Sequence, residues 1–363
     1  MAATSIGTSS PIAQKIFKAG LIHNAEVASL GMAFVGDEDD AAIVLVDDFS
    51  RQRGDTVQIR FSPTRETNPF LENDEVEGNE ESLDFDKMEF KIGYAAFAYA
   101  QANQMSQQRI NINLRKAALT KLSIKWERYW NKNIFNQLCA YTPANSTTGY
   151  ALSGFNAVVS IDSDHILRAG DRASDETITS ADVMDLDLID DLMTRVQSTA
   201  YMDYPIAPTS SGYYYLVMHP DQARQLRQNT GDTGWRDLQR ALLEGGLSYE
   251  RDSALARGFL GMYNNVILVA CDYITKGVNS SSSTTAVSNT RRAVLLGSKA
   301  AYMGFGETYT GGDHLDWREQ IRDYKKWGVM TDSVFGIKRT EFADLGGTTQ
   351  TYGLMVLSTY SKV

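Results

Sequence analysis

Few residues in this chain have the means to do chemistry, and each such group fails on spacing. Asp162-Ser163-Asp164-His165 places carboxylates and an imidazole side by side. A calcium loop opening at Asp162 needs Gly at its sixth position and Glu at its twelfth. The chain has Leu167 and Ala173 there, so a polar turn is expected. Gly36-Asp37-Glu38-Asp39-Asp40 is acidic without ligand periodicity and reads as a solvated turn. The four histidines, His23, His165, His219 and His314, never pair at zinc-ligand spacing. His219, just before Pro220, is expected to be a hydrogen-bonded turn residue. There is no Gly-x-Ser-x-Gly elbow to present a nucleophile. Gly304-Phe305-Gly306-Glu307 and Gly258-Phe259-Leu260-Gly261 continue into neither a phosphate loop nor a dinucleotide fingerprint, and are read as turns. No catalytic residue, cofactor or metal is expected.

The densest set of carboxylates is Glu72, Asp74, Glu75, Glu77, Glu80, Glu81, Asp84 and Asp86. Catalytic carboxylates need different surroundings to separate their pKa values. A Gly-broken polar tip gives all of these the same water. Solubility or docking on a basic surface remains as their use.

Such a tip must be carried by other elements. Thr56 to Phe61 alternates as a strand after the Gly54-Asp55 turn, and Met88 to Tyr99 returns with aromatic residues two apart. Together they predict a long two-stranded hairpin, which is marginal in water unless supported. From Gln104 to Tyr141, Leu119, Leu122, Trp126, Tyr129, Trp130, Ile134 and Leu138 recur at helical steps, with Arg115, Lys116, Lys121, Lys125, Arg128 and Lys132 largely between them. This predicts one long helix ended by Pro143, with its aromatic residues in the core and a basic face outward.

Residues 1–30 read as an extended arm, and 142–180 as a loop region with short strands. Ser180 is expected to cap a helix over 182–197. Tyr213 to Met218 reads as a buried strand turning at His219-Pro220 into a short helix, and a further helix is expected from Asp232 or Thr233 to Leu243. Phe259 to Ala270 reads as a Gly-turned hairpin, Ser280 to Thr285 as a flexible loop, and Arg292 to Leu296 as a strand. VMTDSVFGIKRTEFADLGG and TYGLMVLSTY read as paired terminal strands.

Bulk properties narrow the functional class. The 363 residues are 43% hydrophobic and 22% charged, as in an ordinary globular protein. A net charge of -10 argues against coating DNA or an anionic membrane. No apolar run has the length of a membrane span, and MAATSIGTSSPIAQ lacks the features of a secretory leader. Cys139 and Cys271, flanked by apolar residues, are expected to be buried thiols.

The order of parts resembles the major capsid proteins of tailed bacteriophages with the Hong Kong 97 fold, and within them the coat proteins of N-four-like phages. GDTVQIRFSP, VEGNEESLDFDKMEFKIGYAAFAYA, LRKAALTKLSIKWERYWNKNIFNQL, YYYLVMHPDQARQLR, GFLGMYNNVILVA, VFGIKRTEF and TYGLMVLSTY carry the resemblance. It implies an α+β fold with an N-terminal arm (1–48), an extended β-hairpin or E-loop (49–103), and a peripheral domain with the spine helix (104–179). An α/β axial domain (180–310) and peripheral return strands (311–363) complete it.

The implied function is a non-enzymatic coat that assembles with itself, as pentamers and hexamers, into an icosahedral virion shell. The shell encloses double-stranded DNA without reading its sequence and has no membrane partner. Portal and scaffolding proteins, and a decoration or cement protein, are implied partners, with assembly in the host bacterial cytoplasm. Contacts between subunits are expected from Glu72, Asp74, Glu75, Glu77, Glu80, Glu81 and Asp84 of the hairpin, meeting Lys125, Arg128 and Lys132 of a neighbour's spine. Lys87 and Lys91 lie in the hairpin, but nothing in the sequence gives them a cross-linking partner. An α/β hydrolase-like enzyme with an acidic cleft and a portal protein are the alternatives.

Overall fold

The computed structural model describes residues 21, 24, 25, 28–46, 56–62, 69–72, 76, 77, 86–101, 113–143, 152–199, 201, 202, 204–228, 258–308, 314–322, 326–343 and 349–362. In chain order its regular elements begin with the short strands β1 (Val35–Gly36) and β2 (Ile43–Val46), then β3 (Thr56–Phe61), β4 (Asp86–Lys91) and β5 (Gly93–Gln101). Helix α1 (Leu114–Leu138) and strand β6 (Ile166–Arg168) follow, then α2 (Leu186–Gln197), β7 (Tyr214–Met218) and α3 (Pro220–Gln228). The next strands are β8 (Phe259–Tyr263), β9 (Val266–Ala270), β10 (Lys276–Asn279), β11 (Ser282–Leu296) and β12 (Ala301–Phe305). The chain closes with β13 (Asp316–Arg322), β14 (Lys326–Arg339), β15 (Glu341–Ala343), β16 (Thr349–Thr351) and β17 (Leu354–Tyr360).

One sheet is organised by β14. One edge of β14 takes β5, from Trp327 opposite Gln101 to Phe335 opposite Gly93. Its first half also pairs with β13 and its last residues with β12, which continues the sheet to β2 and β1. Strand β5 alternates. Tyr94, Ala96, Ala98 and Ala100 face solvent, and Ala95, Phe97 and Tyr99 pack against the core. Helix α1 lies over that inner face. The Phe97 ring sits 4.9 Å from Trp126 and 5.5 Å from Tyr129, edge-on to both. Trp126 and Trp130 are fully buried, so the aromatic residues of the helix are core, as their spacing predicts.

A second sheet runs in the order β6-β17-β11-β7-β9-β8, with β10 on β11. Both of its faces are covered. Val217, Val294, Leu296, Leu354 and Val356 face the core shared with α1. Leu216, Met218, Ala293, Leu295, Met355 and Leu357 face the core built by Ile189, Leu192, Met193 and Val196 of α2 and Leu226 of α3. Strands buried on two sides read as continuous apolar runs rather than alternations, which is why YYLVM and VILVA stand out in the sequence.

Local structure departs from the sequence reading in several places. The spine helix is 25 residues, about 37 Å. Asn113 caps its start, accepting from the backbone N–H groups of Arg115 and Lys116. The expected earlier turns, at 104–112, lie outside the described residues. The helix ends before Pro143. Tyr141 N–H donates to the Asn136 carbonyl, and Ala140, at φ 54, donates to that of Gln137. This doubly bonded left-handed cap satisfies the last carbonyls without proline.

Helix α2 is capped by Asp185, not Ser180, because the Asp185 carboxylate accepts from Leu188 N–H. The turn between β8 and β9 is Asn264-Asn265, with φ of 44 and 64, rather than a glycine turn. Ser282–Thr285 is strand, with Ser280 and Ser281 as the hairpin turn, since a ladder to β10 supports it. Gly304 and Phe305 lie in β12, and Phe259, Leu260 and Gly261 in β8, rather than in turns. Among the described residues the only ladder between the terminal segments is the short β15–β16 pair. Strand β14 stays in the first sheet, while β17 joins β11 and β6 in the second. The expected helix over 232–243 lies outside the described residues.

Candidate functional site

Strands β3 and β4 form a two-stranded ribbon, from Thr56 opposite Lys91 to Phe61 opposite Asp86. The predicted hairpin is therefore split. Its return strand pairs with β3 up to Lys91, then changes partner at Ile92 and continues as β5 on β14. The supported end packs on the body through Met88 and Phe90, which are buried with Val44 and Tyr302. The Asp86 carboxylate accepts from Ala343 N–H, and the Phe61 ring lies 6.0 Å from Phe342.

Beyond the ribbon, Glu72 and Glu77 are exposed, as expected of tip carboxylates. Phe70, Leu71 and Val76 are 46%, 71% and 50% exposed beside them. The tip thus offers apolar surface that carboxylate counting overlooks. Asp74, Glu75, Glu80, Glu81 and Asp84 lie outside the described residues.

Lys125, Arg128 and Lys132 are exposed on α1 and, with Lys121, step by four, three and four residues along one face. Lys125 Nζ stands 4.2 Å over the Tyr99 ring. Among the described residues no ion pair joins these cations to a ribbon carboxylate of the same subunit. Of the two remaining predicted spine cations, Arg115 and Lys116, the first is engaged internally by Glu319 at 2.6 Å.

A densely bonded polar site lies at the root of the ribbon, where the end of α1 meets the turn at 152–156. Buried Asn133, Asn136 and Gln137 project from the last turns of α1. Asn133 Oδ1 accepts from Gly154 N–H at 2.8 Å, and Asn136 Nδ2 donates to the Leu152 carbonyl at 2.7 Å. Gln137 Nε2 donates to the carbonyls of Ser153 and Asn156. These bonds hold a turn in which Gly154 and Phe155 have φ of 65 and 63. The turn presents Asn156. Its Oδ1 accepts from Lys91 N–H at 2.7 Å, and its Nδ2 donates to the carbonyls of Lys91, Gly154 and Ile337 at 2.9, 2.9 and 3.0 Å. One amide thus joins β4, the turn and β14.

The geometry leaves no slack. A Cβ on Gly336 would stand 2.1 Å from the Lys91 carbonyl oxygen, and one on Gly93 would stand 2.3 Å from the Phe155 ring. The available signal was the run Asn131, Asn133, Asn136, Gln137 at the buried end of an apolar helix, because buried amides require partners.

The other polar clusters are structural. Asp162 pairs with His165 and accepts from Thr351 N–H at 3.0 Å, which makes the polar turn expected there. Buried Asp175 is bonded by Arg168, Arg292 and Val278 N–H. His219 Nδ1 accepts from Asp221 N–H at 3.2 Å, and burial followed by the Arg291 charge lowers its pKa. Cys139 and Cys271 are free and buried, and burial raises the Cys271 thiol to about 12. Among the described residues no group of His, Cys, Asp and Glu is placed to hold a metal ion, and no helix is long and apolar enough to cross a membrane.

A site made of hydrogen-bonded amides, a ribbon and two outward surfaces holds parts in place. Comparison with known proteins points to a structural family. The model of a family described as phage capsid protein matches residues 5–363. The capsid of Ralstonia phage GP4 is similar in structure, with TM-score 0.75 and 25% identity, over 100% of this chain and 99% of that one. The capsid of cyanophage Pam1 gives TM-score 0.68 at 16% identity over 93% of each chain. The head of Helicobacter pylori bacteriophage KHP40 gives 0.62 at 14% over 99% of this chain and 95% of that one. No curated protein matches.

Proposed function

The chain belongs to the phage capsid protein family, and from that premise we propose that its ribbon and spine helix are two halves of one contact between neighbouring subunits. It is a major capsid protein with a Hong Kong 97-like α+β fold, a structural protein that assembles with its own copies into the shell of the virion.

In the proposed arrangement the subunits form pentamers and hexamers. Residues 1–48 are the arm and 49–103 the E-loop. Residues 104–179 with the spine and the return strands 311–363 are peripheral, and 180–310 is axial. Tip carboxylates Glu72, Asp74, Glu75, Glu77, Glu80, Glu81 and Asp84 meet Lys125, Arg128 and Lys132 of the next copy. The observation that carries this is the exposure of Glu72 and Glu77 and of Lys125, Arg128 and Lys132 on one subunit, with no ion pair between the two groups among the described residues.

Each exposed pair contributes about 0–1 kcal/mol, so the charges set register while apolar burial supplies strength. A net charge of -10 suits a wall that encloses DNA without gripping its sequence. Assembly in the host bacterial cytoplasm, with portal and scaffolding proteins and a decoration or cement protein as further partners, completes the reading.

The test is Glu80→Lys with Glu81→Lys. The subunit should keep its circular dichroism spectrum and melting temperature while shell yield collapses. Reversing Lys125, Arg128 and Lys132 to Glu in the same chain should restore part of that yield. Normal shells from the tip variant alone would sink the pairing.

A further inference from the structure

Between the ribbon and the body there is one unpaired residue. Lys91 is the last ladder partner of β3, Gly93 the first of β14, and only Ile92 separates them. Met88 and Phe90 pack the ribbon on the body, and Lys338 Nζ donates to the Glu89 carbonyl, but the joint at Ile92 has no ladder of its own to fix its angle. The edge of Lys91 has no strand neighbour on the body side. Asn156 takes that place, accepting from the Lys91 N–H and donating to the Lys91 carbonyl as a neighbouring strand would. The same Nδ2 reaches the Ile337 carbonyl on β14, so the amide spans the joint. The turn that carries it is bonded to three buried amides of the spine and holds Phe155 in the left-handed region, an energetically unfavourable state that persists only where surroundings enforce it.

We infer that Asn156 is the positioning residue for the hairpin arm. Locked by the end of the spine helix, its amide sets the angle at which the ribbon leaves the body, and thereby the curvature at which subunits close into a shell. The inference rests on the coat reading but concerns a different part of the subunit from the charged contacts. It treats the buried amides of the spine as the device that transmits the direction of the body to the arm. Packing alone does not require an amide here; an apolar side chain would fill the same space.

The test compares the full-length chain with Asn156→Ala in hydrogen exchange and electron microscopy. In the variant, amides at 88–92 should exchange about tenfold faster or more, while those of β9 and β11 keep their protection. Shells should be open, or of mixed diameter. Gly93→Ala, whose added Cβ has the Phe155 ring as its nearest neighbour, should give the same particles and serves if the first variant fails to fold. Variant shells of wild-type diameter and closure, or unchanged exchange at 88–92, would overturn the inference and leave the coat reading standing. A wild-type chain that builds no shell, with or without a scaffolding protein, would overturn the coat reading and the inference with it.

Discussion

Trp126 Nε1 donates to the Thr331 hydroxyl at 2.8 Å, and both residues are fully buried. The bond ties the middle of the spine helix to the strand that organises the first sheet. Thr331 in turn reaches the Phe97 carbonyl at 3.3 Å, so helix, β14 and β5 meet at one hydroxyl. Thr331→Val keeps the shape and strands the indole N–H. It should cost about 1–3 kcal/mol in urea unfolding of the subunit. An unchanged midpoint would mean that the bond adds nothing to packing.

Glu319, whose side chain is 4% exposed, gathers Arg115 at 2.6 Å and Trp317 Nε1 at 2.9 Å. Arg115→Met removes the cation and leaves a buried carboxylate. The expected loss is about 3 kcal/mol. Adding Glu319→Met should recover part of it, since apolar pairs of similar volume replace buried ion pairs well, while the Trp317 indole N–H loses its acceptor. Additive losses in the double variant would contradict this.

The turn of the β10–β11 hairpin is held by Glu176. Burial opposes ionisation of this carboxylate, but hydrogen bonds from Ser174 and Ser280 prevail and hold its pKa down to about 2, against an ordinary 4.5. A carboxylate with a depressed folded pKa stabilises the fold above its unfolded pKa, and that contribution is lost as pH falls through the folded value. Glu176→Gln should therefore lower the melting temperature at pH 6. The gap to wild type should close as pH falls from 4.5 towards about 2. A gap independent of pH would refute the assignment.

Both thiols should be inert in the native subunit. Burial raises Cys139 as well as Cys271, and the thiolate is the reactive form. Iodoacetamide at pH 8 should label neither cysteine until denaturant is added. Rapid labelling of the native chain would show that the core opens.

Elements with strong local signatures were legible in the sequence. Trp126 and Trp130 recur at helical spacing, β3 alternates, and β7 and β9 are short apolar runs, so each declared itself. Boundaries set by backbone bonding were harder. Ala140 in the left-handed region and Asp185 as a cap act through φ and a single side-chain bond, which Pro143 and Ser180 mimic in sequence. Partner choice was illegible. In MEFKIGYAAFAY the inward apolar phase shifts from Met88 and Phe90 to Phe97 and Tyr99, but nothing marks Ile92 as the point where one strand changes sheets. The Asn156 site was missed for a related reason. Its partners are backbone atoms of Lys91 and Ile337, remote in sequence and identical in every residue type. Only the amides near the end of the spine hinted that something polar was buried there.

The central claim is that this subunit builds a closed shell, and the most direct measurement is electron microscopy of the assembled, purified chain, co-expressed with a scaffolding protein where needed. Closed icosahedral particles with both five-fold and six-fold clusters are expected, the ribbon of each subunit lying on the spine helix of a neighbour. A ring of one fixed symmetry, or a small discrete oligomer under all those conditions, would contradict it.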